Sequence, residues 1–351
     1  MTSEKGQSSA QQPALSICIP TYNFGRFIGE TLRSILSQAT PAVEVVVLDS
    51  GSTDDTAAVV QQFQREFSGL RYCREDKKNG IDRDMALVVE MARGDYCWLF
   101  SADDVMVPGA LALALNEIKT EADVYLCMHS NHTFSMDLID ERHPVFRSKV
   151  AFGYELSDPR QQMKYFSDAM STEAFFSFMG GLIVKRATWR SVPLNEIFVG
   201  SCWAHVSRLF ELIPKGLRVR FVAAVFLQRR GDNDSFATHG VVRRYSLAIR
   251  GYQELARHFW GESSPQSFHV RRVLRNEFGL GMFLHAKALC ASNPTIESRE
   301  LLNELLISIH SDLRASCMLK RLVFNIFPVG LIEPSRRGYR ILKKRRWVTG
   351  L

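Results

Sequence analysis

The sequence predicts an α/β protein, a mostly parallel, doubly wound sheet followed by a helical C-terminal extension. Three observations lead there. Residues 15–20 (LSICIP) and Val43–Asp49 (VEVVVLD) are uninterrupted apolar runs, as expected of parallel strands buried on both faces. Amphipathic helical stretches separate such runs as far as residue 130. From Val241 onward the pattern is helical alone.

The elements follow in order. After the first strand, residues 26–39 place Phe27, Ile28, Leu32, Ile35 and Leu36 on one helical face. After the second, Ser52-Thr53-Asp54-Asp55 supplies hydroxyl and carboxylate groups for a helix N-terminus, and that helix ends near Phe67. Leu70–Arg74 reads as a strand, 81–93 as a helix, 95–100 as a strand, 108–120 as a helix and 123–129 as a fifth strand. The stretch 131–240 is less regular. It holds a helix at 158–170, a strand at the end of FFSFMGGLIVKR, a helix at 203–213 and a strand at 218–228. Helices at 241–259, 266–290 and 296–310 complete the reading. The implied organisation is a disordered lead (1–14), a body (15–240, with halves 15–130 and 131–240), a helical extension (241–312) and a basic amphipathic tail (313–351).

Composition narrows the function. With 46% hydrophobic and 23% charged residues, the 351-residue chain has the make-up of a globular protein of enzyme size. The net charge of +7 is a property of the tail. Residues 313–351 hold ten basic side chains against Glu333, a net +9, which leaves −2 for everything before them. A body of that charge does not fit nucleic-acid binding. Seven cysteines without a CxxC pair argue against a disulfide framework or a zinc knuckle. The polar first fourteen residues lack a hydrophobic signal region, and no apolar run reaches the ~18–20 residues of a spanning helix. The expectation is a cytoplasmic protein.

In an open α/β sheet, ligands bind beyond the carboxyl ends of the strands. Three polar clusters fall there: Pro20-Thr21-Tyr22-Asn23, Asp49-Ser50-Gly51-Ser52-Thr53-Asp54, and Ser101-Ala102-Asp103-Asp104. Their chemistry suits a nucleotide held with a divalent metal. Asp49 offers an acceptor to a base N–H, with Thr21 and nearby amides holding base and ribose. Asp103 and Asp104 offer oxygens to a hard cation, Mg²⁺ or Mn²⁺, that shares its coordination with phosphate. No GxGxxG follows the first strand and no GxxxxGK[ST] occurs, which excludes the usual dinucleotide and P-loop cradles. A metal-bridged diphosphate held by carboxylates points to nucleotide-sugar chemistry.

At this point SICIPTYN, VVVLDSGSTDDT and NGIDRDMALVVEMARGDYCWLFSADD together resemble the family 2 glycosyltransferases with the A-type nucleotide-sugar fold. The likeness is close over 15–130 and loose over 171–240. Within the family, GIDRDMALVVEMARGDYCWLFSADD, FFSFMGGLIVKR and GDNDSF are most similar to abequosyltransferase-type enzymes of bacterial surface-polysaccharide assembly. The resemblance implies base-binding positions at Thr21 and Asp49, a ribose-side carboxylate at Asp103 and the metal ligand at Asp104. Two departures stand out: Ser50 and Ser101 occupy positions where the family usually has Asp. Asp82 and Arg83 fall in the family's third polar cluster, facing the donor, although a helix cap and a surface ion pair explain them equally well. Arg230 lies in a return loop that the family places over the diphosphate.

An inverting transfer, which the family implies, needs a base within reach of the acceptor hydroxyl. The family's Glu-Asp pair ahead of a Trp is replaced here by Ser201-Cys202 before Trp203. His205, one helical turn on, is the expected base, with Glu173 a second candidate and Glu196 a third. Met318–Ile332 is apolar but interrupted by Lys320, Arg321, Asn325 and Pro328, and KKRRW follows it. That combination suits an interfacial anchor on an anionic inner leaflet and an enzyme whose acceptor is a lipid-linked glycan. Two rivals remain. A sugar nucleotidyltransferase would carry a glycine-rich basic loop where PTYNFGRF stands. A non-catalytic nucleotide-sugar binder or scaffold is favoured only by the missing Glu-Asp pair.

Overall fold

The computed structural model describes residues 12–233, 239–311, 314–332 and 334. Most of the expected lead, Asp234 of the return loop, and the tail from 335 onward therefore lie outside the described residues. The strands are β1 (Leu15–Thr21), β2 (Val43–Asp49), β3 (Leu70–Arg74), β4 (Tyr96–Leu99), β5 (Val105–Met106), β6 (Val124–His132), β7 (Leu138–Asp140), β8 (Phe152–Glu155), β9 (Leu182–Lys185) and β10 (Arg218–Arg230). The helices are α1 (Gly25–Leu36), α2 (Thr56–Glu66), α3 (Ile81–Met91), α4 (Ala110–Glu117), α5 (Pro159–Asp168), α6 (Arg186–Arg190), α7 (Ala204–Leu212), α8 (Val241–Trp260), α9 (Pro265–Glu277), α10 (Leu280–Ser292), α11 (Arg299–Ile309) and α12 (Ala315–Ile326).

The chain divides into two compact units. The first runs to Ala169 and resumes over Glu173–Asp232; the second takes Met170–Thr172 and everything from Asn233. In the first unit all the strands form one sheet, ordered β3-β2-β1-β4-β9-β6-β10-β5, with β7 on β6 and β8 on β10. β1, β2, β3 and β4 pair in parallel, as do β6 and β10. The short β9 runs antiparallel between β4 and β6, so the sheet is mostly but not wholly parallel.

Every residue of β1 and β2 is buried, which explains their largely apolar pattern, and the buried polar pair within them is satisfied as Ser16 donates to Glu44 at 2.6 Å. α1 turns Ile28, Leu32 and Ile35 onto this core. In the centre Trp98 is fully buried, donates its ring N–H to Gly180 O at 2.8 Å, and packs edge-on against Phe100 and Phe226. The turns at the carboxyl edge are pressed together. A Cβ on Gly25 would come within 1.8 Å of Asp55 Oδ1, so only glycine fits there.

The second unit is helical, as expected, with one correction. The helix expected over 266–290 is two helices, α9 and α10, separated at Phe278 and Gly279, whose dihedrals leave the helical region. The N-terminus of α8 has no local side-chain cap. Glu297 closes it from a distance, accepting from the Val241 and Val242 amides at 2.6 and 2.8 Å. Lys287 likewise donates to Phe324 O and Phe327 O at the end of α12.

Trp98→Ala is expected to lower unfolding free energy by ~3–5 kcal/mol, because it empties a large core volume and strands the Gly180 carbonyl. Urea denaturation with an unchanged m-value checks this. A loss below 1 kcal/mol would place the core elsewhere.

Candidate active site

The parallel register sets Thr21 directly beside Asp49 at the carboxyl edge, and the segment leaving β4 carries Asp103 and Asp104 past the same edge. The sheet therefore gathers all three polar clusters. Asn23, at a positive φ of 59°, ties two of them: its Oδ1 accepts from Thr53 N at 2.8 Å, and its own amide donates to Ser52 Oγ at 2.8 Å. Asp54 accepts from Gly25 N and from the Thr56 amide and hydroxyl. Burial alone would raise the Asp54 carboxyl, but these hydrogen bonds outweigh it and hold the group below the usual carboxylate range.

Asp104 is the most distinctive group. It is 2% exposed, and its Oδ1 accepts from the Arg230 amide at 2.9 Å. Its Oδ2 is buried and, among the described residues, has no hydrogen-bond partner. Burial first, and the neighbouring Asp103 second, push the Asp104 carboxyl up to about 8. Thr21 Oγ1, at the end of β1, is likewise buried and unpartnered among the described residues. An enclosed carboxylate oxygen without a donor, beside a second carboxylate, fits a hard divalent cation, which would supply the missing positive charge. Pro20 is buried within β1, whereas the half-buried Tyr22 offers its ring at the same edge, with Lys78 Nζ 4.3 Å from the ring centroid.

Several expected site residues have other work. Asp49 is fully enclosed, and its carboxylate accepts from Ser52 N at 2.8 Å and Tyr72 OH at 2.6 Å. This corrects the expectation that it meets a base directly. Tyr72 covers it, and burial raises the Tyr72 phenol. Asp82 accepts from three backbone amides, those of Gly200, Cys202 and Ala204, and so closes the N-terminus of α7 rather than facing a ligand. Arg83 forks onto Glu196 at 3.2 and 2.7 Å on an exposed surface, which pairs a phosphate-binding candidate with a base candidate.

Arg230 is also corrected. Its guanidinium is buried and donates to Asp103 O, Phe134 O and Glu30, so it braces the Asp103–Asp104 loop instead of presenting charge to a phosphate. The exposed cation is the adjacent Arg229, which the sequence reading passed over. It lies over the Phe178 ring at 5.5 Å, and its charge acts on Asp104.

His205 is corrected as well. It is 4% exposed, its Nε2 bonds Phe176 O at 3.0 Å, and its Nδ1 is enclosed, so neither nitrogen reaches an acceptor. Burial lowers its pKa to about 4. Glu173 is buried too, but at the carboxyl end of β6, with His129 Nε2 at 2.8 Å and His143 Nε2 at 3.5 Å from its Oε1. Burial would raise this carboxyl; His129, His143 and Arg229 outweigh it and hold Glu173 below the usual range. Neither histidine was singled out from sequence, because the loop that carries His143 folds back on β6 only in three dimensions.

The His205 environment gives a pH prediction. Between about pH 6.5 and 4 the unfolded chain takes up a proton at this imidazole that the folded chain refuses, so folding weakens as pH falls through that window. His205→Gln should remove on the order of 1–3 kcal/mol of the stability lost between pH 7 and 4.5. Chemical denaturation at the two pH values checks it, and an unchanged pH dependence would refute the buried neutral state.

Comparison with known proteins identifies the family. Residues 16–179 match the family described as Glycosyl transferase family 2. The chain is 30% identical over 270 residues to the abequosyltransferase RfbV of Salmonella typhimurium, covering 75% of this chain and 80% of that protein. It is 24% identical over 284 residues, with 80% of each chain covered, to the GalNAc(5)-diNAcBac-PP-undecaprenol beta-1,3-glucosyltransferase of Campylobacter jejuni. The crystal structure of S. aureus TarS 1-349 in complex with UDP-GlcNAc shares the fold at a TM-score of 0.58 and 15% identity, covering 92% of both chains. The extent of the match to RfbV, joined to the strand-end clusters described above, shows that this chain belongs to glycosyl transferase family 2.

Proposed function

We propose that the protein transfers one sugar, with inversion, from a nucleotide-sugar donor to a lipid-linked oligosaccharide in bacterial surface-polysaccharide assembly of O-antigen or capsule type. The observation that carries the donor half is the enclosed Asp104 with its unpartnered oxygen, beside Thr21 at the ends of β4 and β1. Asp104, with Asp103 beside it, would hold Mg²⁺ or Mn²⁺, which supplies charge stabilisation to the leaving diphosphate. Thr21, Tyr22 and the Asn23-braced loop hold the nucleoside, and Arg229 adds a fixed positive charge at the same edge. The acceptor's proton is taken up at the Glu173 cluster, since Ser201 and Cys202 offer no carboxylate. The Campylobacter relative, whose name specifies an undecaprenol-linked substrate, supports a lipid-linked acceptor.

The surface of α12 supports a membrane-surface location. Met318, Leu319, Leu322 and Ile326 are 54–67% exposed on this helix, with Lys320 and Arg321 between them and the basic tail beyond. No helix among the described residues is long and apolar enough to cross a membrane. An apolar face with flanking cations suits the cytoplasmic face of an anionic bilayer.

Two outcomes test this reading. In a thermal-shift screen of UDP-, GDP-, CDP- and dTDP-linked sugars, one nucleotide should stabilise the protein only with Mn²⁺, by ~2.7 kcal/mol at a hundred times its dissociation constant. Asp104→Asn, which keeps the acceptor for the Arg230 amide, should abolish that shift without lowering the unliganded melting temperature. No shift with any nucleotide would favour a non-catalytic scaffold. In co-sedimentation with phosphatidylglycerol vesicles, the full chain should bind, and Leu322→Glu with Ile326→Glu should weaken binding at least tenfold. Equal binding by the double variant would remove α12 as the anchor.

A further inference from the structure

The Glu173 cluster holds more imidazole than its carboxylate needs. A buried carboxylate must be paired, and His129, fully buried in β6, does that at 2.8 Å. His143 adds no comparable bond. Its Nε2 stands 3.5 Å from the same oxygen, is buried, and makes no hydrogen bond among the described residues. The two rings nevertheless stack at 4.9 Å with 11° between their planes, and the His143 amide donates to His129 O at 2.9 Å, so the chain holds this pair deliberately in register. One ligating atom from each of the three residues lies within 4.8 Å of the others.

The remaining ring nitrogens face outward partners. His129 Nδ1 is 3.4 Å from Ser130 O, and His143 Nδ1 is 3.4 Å from the Asn131 side-chain amide. The Ser130 carbonyl is an acceptor of the kind that orients a histidine whose other nitrogen binds a metal. Phe178 packs on His129 at 4.6 Å and excludes water from that side.

We propose that His129, His143 and Glu173 form a second divalent-metal site, separate from Asp103–Asp104 and suited to a borderline transition metal such as Zn²⁺. Two imidazoles and one carboxylate are the donor set of open three-ligand zinc sites, whereas the all-oxygen pair at Asp104 suits Mg²⁺ or Mn²⁺. Ligands bonded at ~2.0–2.2 Å around one tetrahedral ion stand roughly 3.2–3.5 Å apart. The distances of 2.8 and 3.5 Å to Oε1 bracket that range, and an ion draws the stacked rings together by a small rotation of His143, whose side chain is 24% exposed.

The two metal sites lie on one continuous wall. His129 packs on Phe178, Phe178 carries the Arg229 guanidinium at 5.5 Å, and the next residue, Arg230, bonds Asp104 through its amide. On the transferase reading, His129, His143 and Glu173 would hold the ion, and the ion would supply an acidified water able, as hydroxide, to accept the proton of the acceptor O–H and become water. The acceptor oxygen bonds the sugar carbon as the carbon–oxygen bond to the diphosphate breaks, and the electron pair leaves with the diphosphate. This role rests on the transferase reading; metal binding itself does not.

The test uses the full chain after chelator treatment, titrated with Co²⁺ and, separately, Zn²⁺. One Zn²⁺ per chain should be retained in equilibrium dialysis, and Co²⁺ should develop the visible ligand-field bands of a four- or five-coordinate ion. Asp104→Asn should leave both unchanged, while His143→Asn and Glu173→Gln should each weaken binding more than about 100-fold. His143→Asn keeps the test decisive where Glu173→Gln fails to fold, because position 143 is partly exposed. A Co²⁺ spectrum that stays that of the aqueous ion, or binding that survives His143→Asn and disappears in Asp104→Asn, overturns the proposal. Retained metal in a chain that shifts with no nucleotide would confirm the site and refute only its part in transfer.

Discussion

The candidate site depends on one buried arginine. Arg230 enters from the end of β10 and fixes the segment that crosses from β4 to β5. Its amide holds Asp104 Oδ1, its Nε holds Asp103 O, and its guanidinium reaches Glu30 and Phe134 O. Without that brace, two adjacent carboxylates in a desolvated loop would repel each other and move toward water. With it, Asp104 is kept enclosed with one oxygen satisfied and one open. A buried carboxylate oxygen without a donor is costly as a fold element.

The same strand shows why the site was only partly legible in sequence. Arg229 and Arg230 are adjacent, so they point to opposite sides of the sheet, and either reading was open. The pairing of β10 with β6 shifts register between Val222 and Val225, and again between Val225 and Leu227. Each irregularity resets which residues face inward, and no pattern in RVRFVAAVFLQRR announces it. The outcome inverts expectation: Arg230 is structural and Arg229 is the exposed cation. The central strands were legible because burial on both faces leaves a continuous apolar run. β9 was legible as a strand but not as an antiparallel one, since four residues, LIVK, read alike in both directions. The break between α9 and α10 was hidden because no proline separates them, and α10 has no amphipathic period of its own to mark its start.

Thr21 closes β1, and Asp103 and Asp104 lie in the segment that leaves β4, so topology alone brings them to the carboxyl edge. Asp82, Arg83 and His205 each have a structural partner that the sequence did not name, for a common reason. Their partners are far away in sequence: Asp82 meets Gly200 across 118 residues, Arg83 meets Glu196 across 113, and His205 meets Phe176 across 29. A polar residue near a helix start carries no mark of which distant amide it will satisfy. Cys202, three residues before His205, and Phe176, whose carbonyl His205 meets, both adopt positive φ, 70° and 68°. Non-glycine residues in that region are held there by their surroundings, so the segment expected to supply the base is constrained by backbone demands.

That constraint also accounts for the missing acidic pair. The N-terminus of α7 already receives a buried carboxylate from α3, because Asp82 takes the amides of Gly200, Cys202 and Ala204 and complements the helix dipole. A glutamate and an aspartate at 201 and 202 would set two further negative charges against it in a poorly solvated place. Like charges so arranged raise each other's pKa, and some would be protonated at neutral pH, losing both the cap and the base. Ser201 avoids this by bonding Phe198 O through its hydroxyl and accepting from Trp203 N, which keeps the turn closed without charge. A buried carboxylate is found instead at Glu173, where His129 and His143 stand at 2.8 and 3.5 Å from its Oε1. The loss at 201–202 and the cluster at β6 thus fit the same electrostatic limit: a poorly solvated carboxylate is stable where donors are built around it, backbone amides at Asp82 and imidazoles at Glu173.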